Sequence, residues 1–216
     1  MGPVEGIPCE PARHSPIIPV MRFVLASASP RRRELLRNAG FDFDVQPSQV
    51  MEKGQSGEPP EQFARRAARE KAMQVAASSP AGSLVLGADT VVVIDGETLG
   101  KPSDPEDATR MLQVLSGRTH QVHTGVCLVR APGRIEALEH ATTLVTFRGL
   151  DEEEIRRYVE SGEPMDKAGA YAVQGLASKF VTRILGCYSN VVGLPVPLVY
   201  EILKKAERRK EKAEVP

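Results

Sequence analysis

FVLASASPRRRELL, residues 23–36, is the stretch around which the rest of the chain is organised. Its first residues are apolar enough for a short buried strand. Ser29 followed by Pro30 is typical of a helix start, because a serine hydroxyl can cap the N–H groups there and proline has no N–H to leave unbonded. The stretch therefore predicts a strand that runs directly into a helix.

The same stretch predicts an anion site. N–H groups at a helix start, the hydroxyls of Ser27 and Ser29, and the guanidinium groups of Arg31, Arg32 and Arg33 lie close together in sequence. Phosphate is the anion that such a combination most often binds. The alternative is a capped surface helix whose arginines face solvent.

Composition limits the possible partners. A chain of 216 residues can form one domain with a sizeable core, or two small lobes around a cleft. Because 28 lysines and arginines balance 28 aspartates and glutamates, and only 5% of residues are aromatic, a nucleic-acid polymer is not an expected partner. Any phosphate recognition must then be local. We find no apolar run long enough to span a membrane, and we expect a cytoplasmic protein.

The cysteines and histidines do not predict a metal centre. Cys9, Cys127 and Cys187 are odd in number and far apart, so we expect free thiols in a reducing cytoplasm. His120 and His123 are three residues apart in a strand-like segment, which places their side chains on opposite faces.

The chain is predicted to have three parts. Residues 1–20 contain five prolines and show no periodicity, so they are predicted to form a flexible extension. Residues 21–204 form the folded domain, and residues 205–216 form a charged, solvated tail.

Strands and helices are predicted to alternate along the folded domain, which indicates an α/β fold with its site at strand ends. The predicted helices are 30–38, 61–77, 105–115, 151–161 and one from about 197, and the predicted strands are 41–45, 84–94, 120–129, 141–147, 179–184 and 189–192.

Two charged residues fall where the sequence predicts burial. At about 100° per residue, the second helix places Lys71 on a face of alanines, where it either extends to water or reaches a buried carboxylate or phosphate. Asp89 lies at the centre of LVLGADTVVVI, residues 84–94, the most apolar run in the chain. Because a buried carboxylate is costly, Asp89 is predicted to be paired, bound to a metal or catalytic.

Further charges lie on predicted loops. Lys101 follows a hairpin turn at Asp95-Gly96. The segment 96–101 is not a P-loop, because it lacks the glycine spacing of that motif. Asp166 and Lys167 belong to GEPMDKAGAY, residues 162–171, which is either a simple turn or part of a metal–phosphate site. If these loops converge with the helix start, the basic groups can bind a polyphosphate and the acids can hold Mg²⁺ or Mn²⁺. The candidate metal ligands are Glu52, Asp89 and Asp166.

The chain resembles the Maf family of nucleoside triphosphate pyrophosphatases over roughly residues 22–204. The resemblance rests on LASASPRR (25–32), AREKA (68–72), GADT (87–90), KP (101–102), LSG (115–117), GEP (162–164), DKAG (166–169) and VVGLP (191–195). It implies an elongated, two-lobed α/β fold with a mixed sheet around a central cleft, similar to the inosine triphosphate pyrophosphatase architecture, and a homodimer. It also implies metal-dependent hydrolysis of a nucleoside triphosphate to the monophosphate and pyrophosphate.

The resemblance also implies roles for residues at matching motif positions. Asp89 corresponds to the proton acceptor, and Glu52, Lys71 and Lys101 to groups required for activity. The substrate would be held at the helix start by Ser27, Ser29, Arg31 and Arg32, with Lys167 nearby.

Substrate preference is implied at Arg31, Thr90 and Gln174, and this combination resembles the branch that acts on dTTP and UTP rather than 7-methyl-GTP. A glutamine amide offers both a donor and an acceptor to the O4/N3–H edge that thymine and uracil share. Two alternatives are the same reaction on modified nucleotides, and a nucleotide-binding regulator of septum formation or cell division with little turnover.

Overall fold

The computed structural model describes residues 22–51, 54–55 and 57–214, with side chains described as far as Lys210. The predicted extension of residues 1–20, Cys9 and Glu52 lie outside the described residues.

The described chain alternates strands and helices, which confirms the predicted α/β class. Its elements are β1 (Phe23–Leu25), α1 (Pro30–Asn38), β2 (Phe43–Val45), α2 (Pro60–Ala77), β3 (Leu84–Ile94), β4 (Glu97–Leu99), α3 (Pro105–Leu115), β5 (Thr119–Arg130), β6 (Arg134–Phe147), α4 (Glu152–Glu160), β7 (Val181–Leu185), α5 (Tyr188–Val192) and α6 (Val196–Glu214). Short 3-10 turns cover Glu163–Asp166, Ala168–Ala170 and Leu176–Phe180.

Local sequence signals set several helix boundaries. Ser29 caps α1 through its side chain, and Gly40 follows the helix in the left-handed conformation with φ of 76°. Asp104 caps α3, and Asp151 caps α4 in a reciprocal capping box with Glu154. These side chains satisfy N–H groups that have no partner inside a helix, which is why the boundaries are readable from the sequence.

Within the described residues, the sheet is mixed and has seven strands in the order β2-β1-β3-β5-β6-β7, with β4 also paired to β3. On one edge of β3, β1 runs parallel to residues 84–86 and β4 runs antiparallel to residues 92–94. The centre of β3 therefore lies between two branches of the sheet. Asp89 and Thr90 occupy that centre.

Two hydrophobic cores lie on either side of this branch point. One combines β1 and the start of β3 with α6, through residues such as Phe23, Leu86 and Leu203. The other combines the end of β3 with α3 and α4, through residues such as Leu112 and Ile155. These two cores form the lobes of the predicted two-lobed fold.

Helix α2 lies directly on the backbone of the sheet. A Cβ atom added to Gly87 of β3 would stand 2.2 Å from the carbonyl oxygen of Ala68, and one added to Gly125 of β5 would stand 2.1 Å from that of Ala64. Such approaches leave room only for hydrogen on the sheet and small side chains on the helix. The consequence is that Lys71, on the alanine face, is held against the strand that carries Asp89.

One predicted strand is wrong. Residues 189–192 form most of helix α5, although the valines there favour a strand. The buried amide of Asn190 donates to the carbonyl of Val122 and to the hydroxyl of Thr143, both at 3.0 Å, and Gly193 ends the helix with φ of 129°. These tertiary hydrogen bonds override the local preference.

Other boundaries differ by a few residues. The predicted strand 179–184 begins at Val181, because the preceding residues form a 3-10 turn, and the loop 162–171 also contains 3-10 turns. Strand β2 begins at Phe43, and β6 begins at Arg134 rather than 141. Helix α6 continues to Glu214 through most of the predicted tail, and Ala206 is buried against the core.

Both cysteines among the described residues are free thiols. Cys127 is buried and Cys187 is half-buried. Burial raises the pKa of Cys127 to about 12, so its thiol is protonated at neutral pH.

Within the described part of the chain, the helices are too short or too polar to cross a membrane.

Candidate active site

One pocket, with a volume of about 350 Å³, opens at the branch point of the sheet. Its walls come from the start of α1, the centre of β3, the loop at Lys101, residues 166–174 and the turn between α5 and α6. Its lining contains eleven of the twelve predicted site residues that the structure describes, namely Ser27, Ser29, Arg31, Arg32, Lys71, Asp89, Thr90, Lys101, Asp166, Lys167 and Gln174. The twelfth, Arg33, does not line the pocket.

The floor of the pocket is the buried ion pair of Lys71 and Asp89. Lys71 Nζ donates to Asp89 Oδ1 at 2.6 Å, and the two residues are 8% and 4% exposed. Of the two sequence interpretations for Lys71, the structure shows the one in which it reaches a buried carboxylate. The ammonium group of Lys71 offsets the cost of burying the Asp89 carboxylate, which thereby lines the pocket while it is shielded from bulk water.

The start of α1 forms the wall beside this floor. Ser27 Oγ accepts from the backbone N–H of Ser29 at 3.3 Å, and Ser29 Oγ accepts from the backbone N–H of Arg32 at 3.4 Å. The loop between β1 and α1 is thereby folded so that the helix N-terminus lines the pocket. An N-terminus in this position attracts anions through its N–H groups and its dipole.

Arg32 joins three segments of the wall. Its Nη1 donates to Ser27 Oγ at 3.2 Å, its Nη2 to Thr90 Oγ1 at 3.0 Å, and its Nε to the carbonyl of Gly193 at 2.8 Å. Thr90 Oγ1 also donates to the Gly193 carbonyl at 3.2 Å. The guanidinium therefore fixes the α1 start against β3 and the turn after α5.

The rim carries Arg31, Asp166 and Lys167. Arg31 lies 3.7 Å from Asp166, and Asp166 also pairs with the neighbouring Lys167. Partial burial opposes ionisation of Asp166, but the hydrogen bond to Lys167 and the charges of Lys167 and Arg31 outweigh it and lower its pKa. The Asp166 carboxylate is thus ionised at neutral pH.

Lys101 is brought to the pocket by backbone packing. The N–H of Gly169 donates to the carbonyl of Gly100 at 2.9 Å, which joins the Lys101 loop to the DKAG turn. Gly169 has φ of 68°, and a Cβ there would stand 2.9 Å from the methyl groups of Val92. Only glycine fits this position, so the two loops approach each other closely.

Sequence reasoning missed the apolar side of the pocket. Val92, Val122, Val173 and Tyr171 line it, together with residues 191–193. The Tyr171 hydroxyl lies 2.8 Å from Nε2 of buried His120. Burial raises the pKa of Tyr171 and lowers that of His120 to about 4, so both groups are neutral at pH 7. Apolar residues in strands and turns are so common that no sequence signal distinguishes this wall from the core.

The described residues contain no group of three or more His, Cys, Asp or Glu side chains arranged to hold a metal ion. Asp89 and Asp166 are the predicted ligands that line the pocket, and Glu52 lies outside the described residues. One or two carboxylates completed by substrate phosphates is a usual protein environment for Mg²⁺. The donor set of the pocket therefore suits a metal that arrives with a polyphosphate.

The fold and pocket define an α/β protein whose cleft combines a helix N-terminus, several cations and a buried carboxylate. The family model described as Maf-like protein matches residues 22–206. The chain belongs to the Maf family.

Several relatives cover most of the chain. It is 52% identical to a protein of Koribacter versatilis named dTTP/UTP pyrophosphatase, over 86% of this chain and 95% of the relative. It is also 52% identical to a protein of the same name from Moorella thermoacetica, over 84% and 93%. Among solved structures, a HAM1 protein from Coxiella burnetii superposes with a TM-score of 0.46 and 18% identity, over 86% of this chain and 99% of that one.

Proposed function

We propose that this protein hydrolyses nucleoside triphosphates, most readily dTTP and UTP, to the nucleoside monophosphate and pyrophosphate. The observation that carries the proposal is the convergence of Arg31, Lys101 and Lys167 on one pocket whose floor is the Lys71–Asp89 pair. Membership of the Maf family and the name of its relatives, dTTP/UTP pyrophosphatase, support the substrate class.

The triphosphate lies along the start of α1, where the helix dipole attracts it and the Ser27 and Ser29 hydroxyls donate to phosphate oxygens. Arg31, Lys101 and Lys167 offset its charge. The apolar wall then receives the nucleoside, and Gln174 offers its amide to the O4/N3–H edge of the base. Arg32 holds the walls of this site in register through its contacts with Ser27, Thr90 and Gly193.

Asp89 acts as the general base. It accepts a proton from a water whose oxygen forms the new bond to phosphorus as the α–β phosphoanhydride bond breaks and pyrophosphate and monophosphate separate. Lys71 orients the carboxylate through the hydrogen bond to Oδ1.

A divalent cation, Mg²⁺ or Mn²⁺, would be held by Asp89 and phosphate oxygens, with Asp166 and Glu52 as further candidate ligands. When bound, it supplies charge neutralisation of the phosphate oxygens.

Three further properties are proposed. The homodimer is proposed on the family resemblance, and the cytoplasmic location on the odd number and wide separation of the cysteines. The division into an extension of residues 1–20, the enzyme domain from 21 to 204 and a charged end from 205 is proposed on composition. Light scattering of the full chain tests the dimer, because a monomeric mass at micromolar concentration contradicts it.

The function is tested by ion-exchange analysis of the products formed from a panel of normal and modified nucleoside triphosphates with Mg²⁺. We expect monophosphate and pyrophosphate, fastest from dTTP and UTP. Asp89→Asn should lower kcat by about a thousandfold, since general-base catalysis contributes roughly two to four orders of magnitude. Asp95→Asn, in the exposed turn after β3, is the matched control.

Each other outcome has a distinct meaning. Diphosphate and orthophosphate would overturn the cleavage position, and a fast Asp89→Asn variant would overturn the general base. Saturable nucleotide binding without turnover would favour the regulator of cell division instead.

A further inference from the structure

Gln174 stands on a tight turn that other side chains hold. The N–H of Gly175 donates to the carbonyl of Ala172 at 3.1 Å, which closes a four-residue turn with Val173 and Gln174 at its centre. Gln174 itself is exposed and lines the pocket. The position of its amide therefore depends on the contacts that fix the backbone of residues 172–176.

Tyr158 of α4 holds the beginning of this turn. Its hydroxyl accepts from the backbone N–H of Ala172 at 3.2 Å and donates to Glu163 Oε1 at 2.9 Å. Burial and the hydrogen bond to Glu163 raise the pKa of Tyr158. The phenol therefore keeps its proton at neutral pH and can serve both hydrogen bonds.

Glu163 holds the end of the turn. Its Oε2 accepts from the backbone N–H of Leu176 at 3.1 Å, while Oε1 accepts from Tyr158. One carboxylate thus holds both ends of the turn, directly at Leu176 and through Tyr158 at Ala172. Since a charged acceptor forms stronger hydrogen bonds than a neutral one, this is a firm attachment for a surface turn.

Gly175 shows how closely the carboxylate packs against the turn. A Cβ atom added there would stand 2.3 Å from Glu163 Oε2. Its φ of −103° is open to any residue, so the conformation itself does not require glycine. A side chain at this position would displace the Glu163 carboxylate from the turn.

We propose that Glu163 is a positioning residue for base selection, acting through Tyr158 and the 172–176 turn on Gln174. The inference rests on the proposed function, in which Gln174 contacts the pyrimidine. A hydrogen bond weakens steeply when its donor and acceptor move apart or out of line. Glu163 thus fixes the backbone from which the Gln174 side chain reaches the base.

The test compares kcat/KM for UTP and CTP in Glu163→Ala and in Gln174→Ala. We expect both variants to lower the UTP:CTP ratio by about tenfold, the order of discrimination that one hydrogen bond supplies. The double variant should lower the ratio no further, because both changes remove the same contact. A purely structural role of Glu163 would slow both substrates equally and leave the ratio unchanged, which would overturn the inference.

Tyr158→Phe and Glu154→Gln complete the design. Tyr158→Phe removes one hydroxyl, so it retains the fold even if Glu163→Ala does not, and it should lower the ratio in the same direction. Glu154→Gln weakens the ion pair of α4 with Arg148 and the α4 cap, and should lower the unfolding midpoint without changing the ratio. A wild-type ratio in Tyr158→Phe, with Gln174→Ala reduced, would also overturn the proposal.

Three failures are distinguishable. A wild-type protein that does not hydrolyse UTP contradicts the proposed function. A Gln174→Ala variant with an unchanged ratio contradicts base recognition by Gln174 and this inference with it. An active Glu163→Ala variant that keeps the wild-type ratio, while Gln174→Ala loses it, contradicts the inference alone.

Discussion

The floor and the rim of the pocket each carry an ion pair, and the two pairs differ in strength and access. At the floor, Lys71 and Asp89 are 2.6 Å apart with side chains 10% and 5% exposed. At the rim, Arg31 and Asp166 are 3.7 Å apart with side chains 32% and 69% exposed. A buried pair is costly to separate, whereas an exposed pair exchanges readily with water or with another anion. The floor therefore fixes geometry, and the rim is where an incoming triphosphate can replace a protein carboxylate.

The largest expected effect on stability comes from removing the Lys71 ammonium group at the floor of the pocket. Lys71→Met leaves the Asp89 carboxylate buried without its ammonium partner, and we expect a loss of about 3–5 kcal/mol in the free energy of unfolding. Urea unfolding monitored by circular dichroism measures it. The matched variant Lys71→Met/Asp89→Asn, which removes both charges, should recover most of that loss. A single variant within about 1 kcal/mol of the wild type would show that the floor behaves like the rim.

The second prediction tests the close packing of α2 on β3, which holds Lys71 against Asp89. Gly87→Ala places a methyl group against the backbone of α2 at Ala68 and Ala72, next to Lys71. We expect a loss of about 3 kcal/mol in unfolding free energy from overpacking, and a fall in kcat of at least about tenfold because Lys71 is displaced from Asp89. Thermal unfolding and steady-state kinetics measure the two effects.

Gly149→Ala is the control for this variant, since a Cβ there meets nothing within 4 Å. It should change neither quantity by more than about 0.5 kcal/mol or its equivalent in rate. Equal effects of the two substitutions would contradict close packing of α2 as the cause.

The floor was more predictable from the sequence than the rest of the pocket, and for a physical reason. A lysine on an alanine face and an aspartate in an apolar strand each violate the usual pattern of burial, so each indicates a partner without any knowledge of the fold. Glycine, serine and proline at helix boundaries are similarly readable, because they satisfy local backbone requirements.

The remaining parts depend on contacts between distant segments. Arg32 donates to the carbonyl of Gly193, and any residue could supply a backbone carbonyl, so the sequence carries no signal for this contact. The hydrogen bond from the backbone N–H of Leu176 to the Glu163 carboxylate is also a contact between a side chain and a distant backbone group. The valines of α5 favour a strand in the sequence. The hydrogen bonds that make this segment a helix join Asn190 to Val122 and Thr143 on other strands, and local propensity carries no information about them.

The smallest expected effect on stability, and a clear one on binding, comes from the rim. Arg31→Gln removes a charge that is partly exposed, so the free energy of unfolding should change by no more than about 0.5 kcal/mol. The KM for UTP should rise about tenfold while kcat falls less. The reason is that Arg31 attracts the triphosphate both in the bound substrate and in the transition state, so its loss weakens binding more than it slows the chemical step. Steady-state kinetics at two salt concentrations measures this, and the KM of the variant should depend less on salt. Arg33→Gln is the matched control, since Arg33 belongs to the same helix turn and does not line the pocket. An equal rise of KM in both variants would mean that the charge of the helix start acts as a general field, and the distinction between a fixed floor and a specific, exchangeable rim would fail.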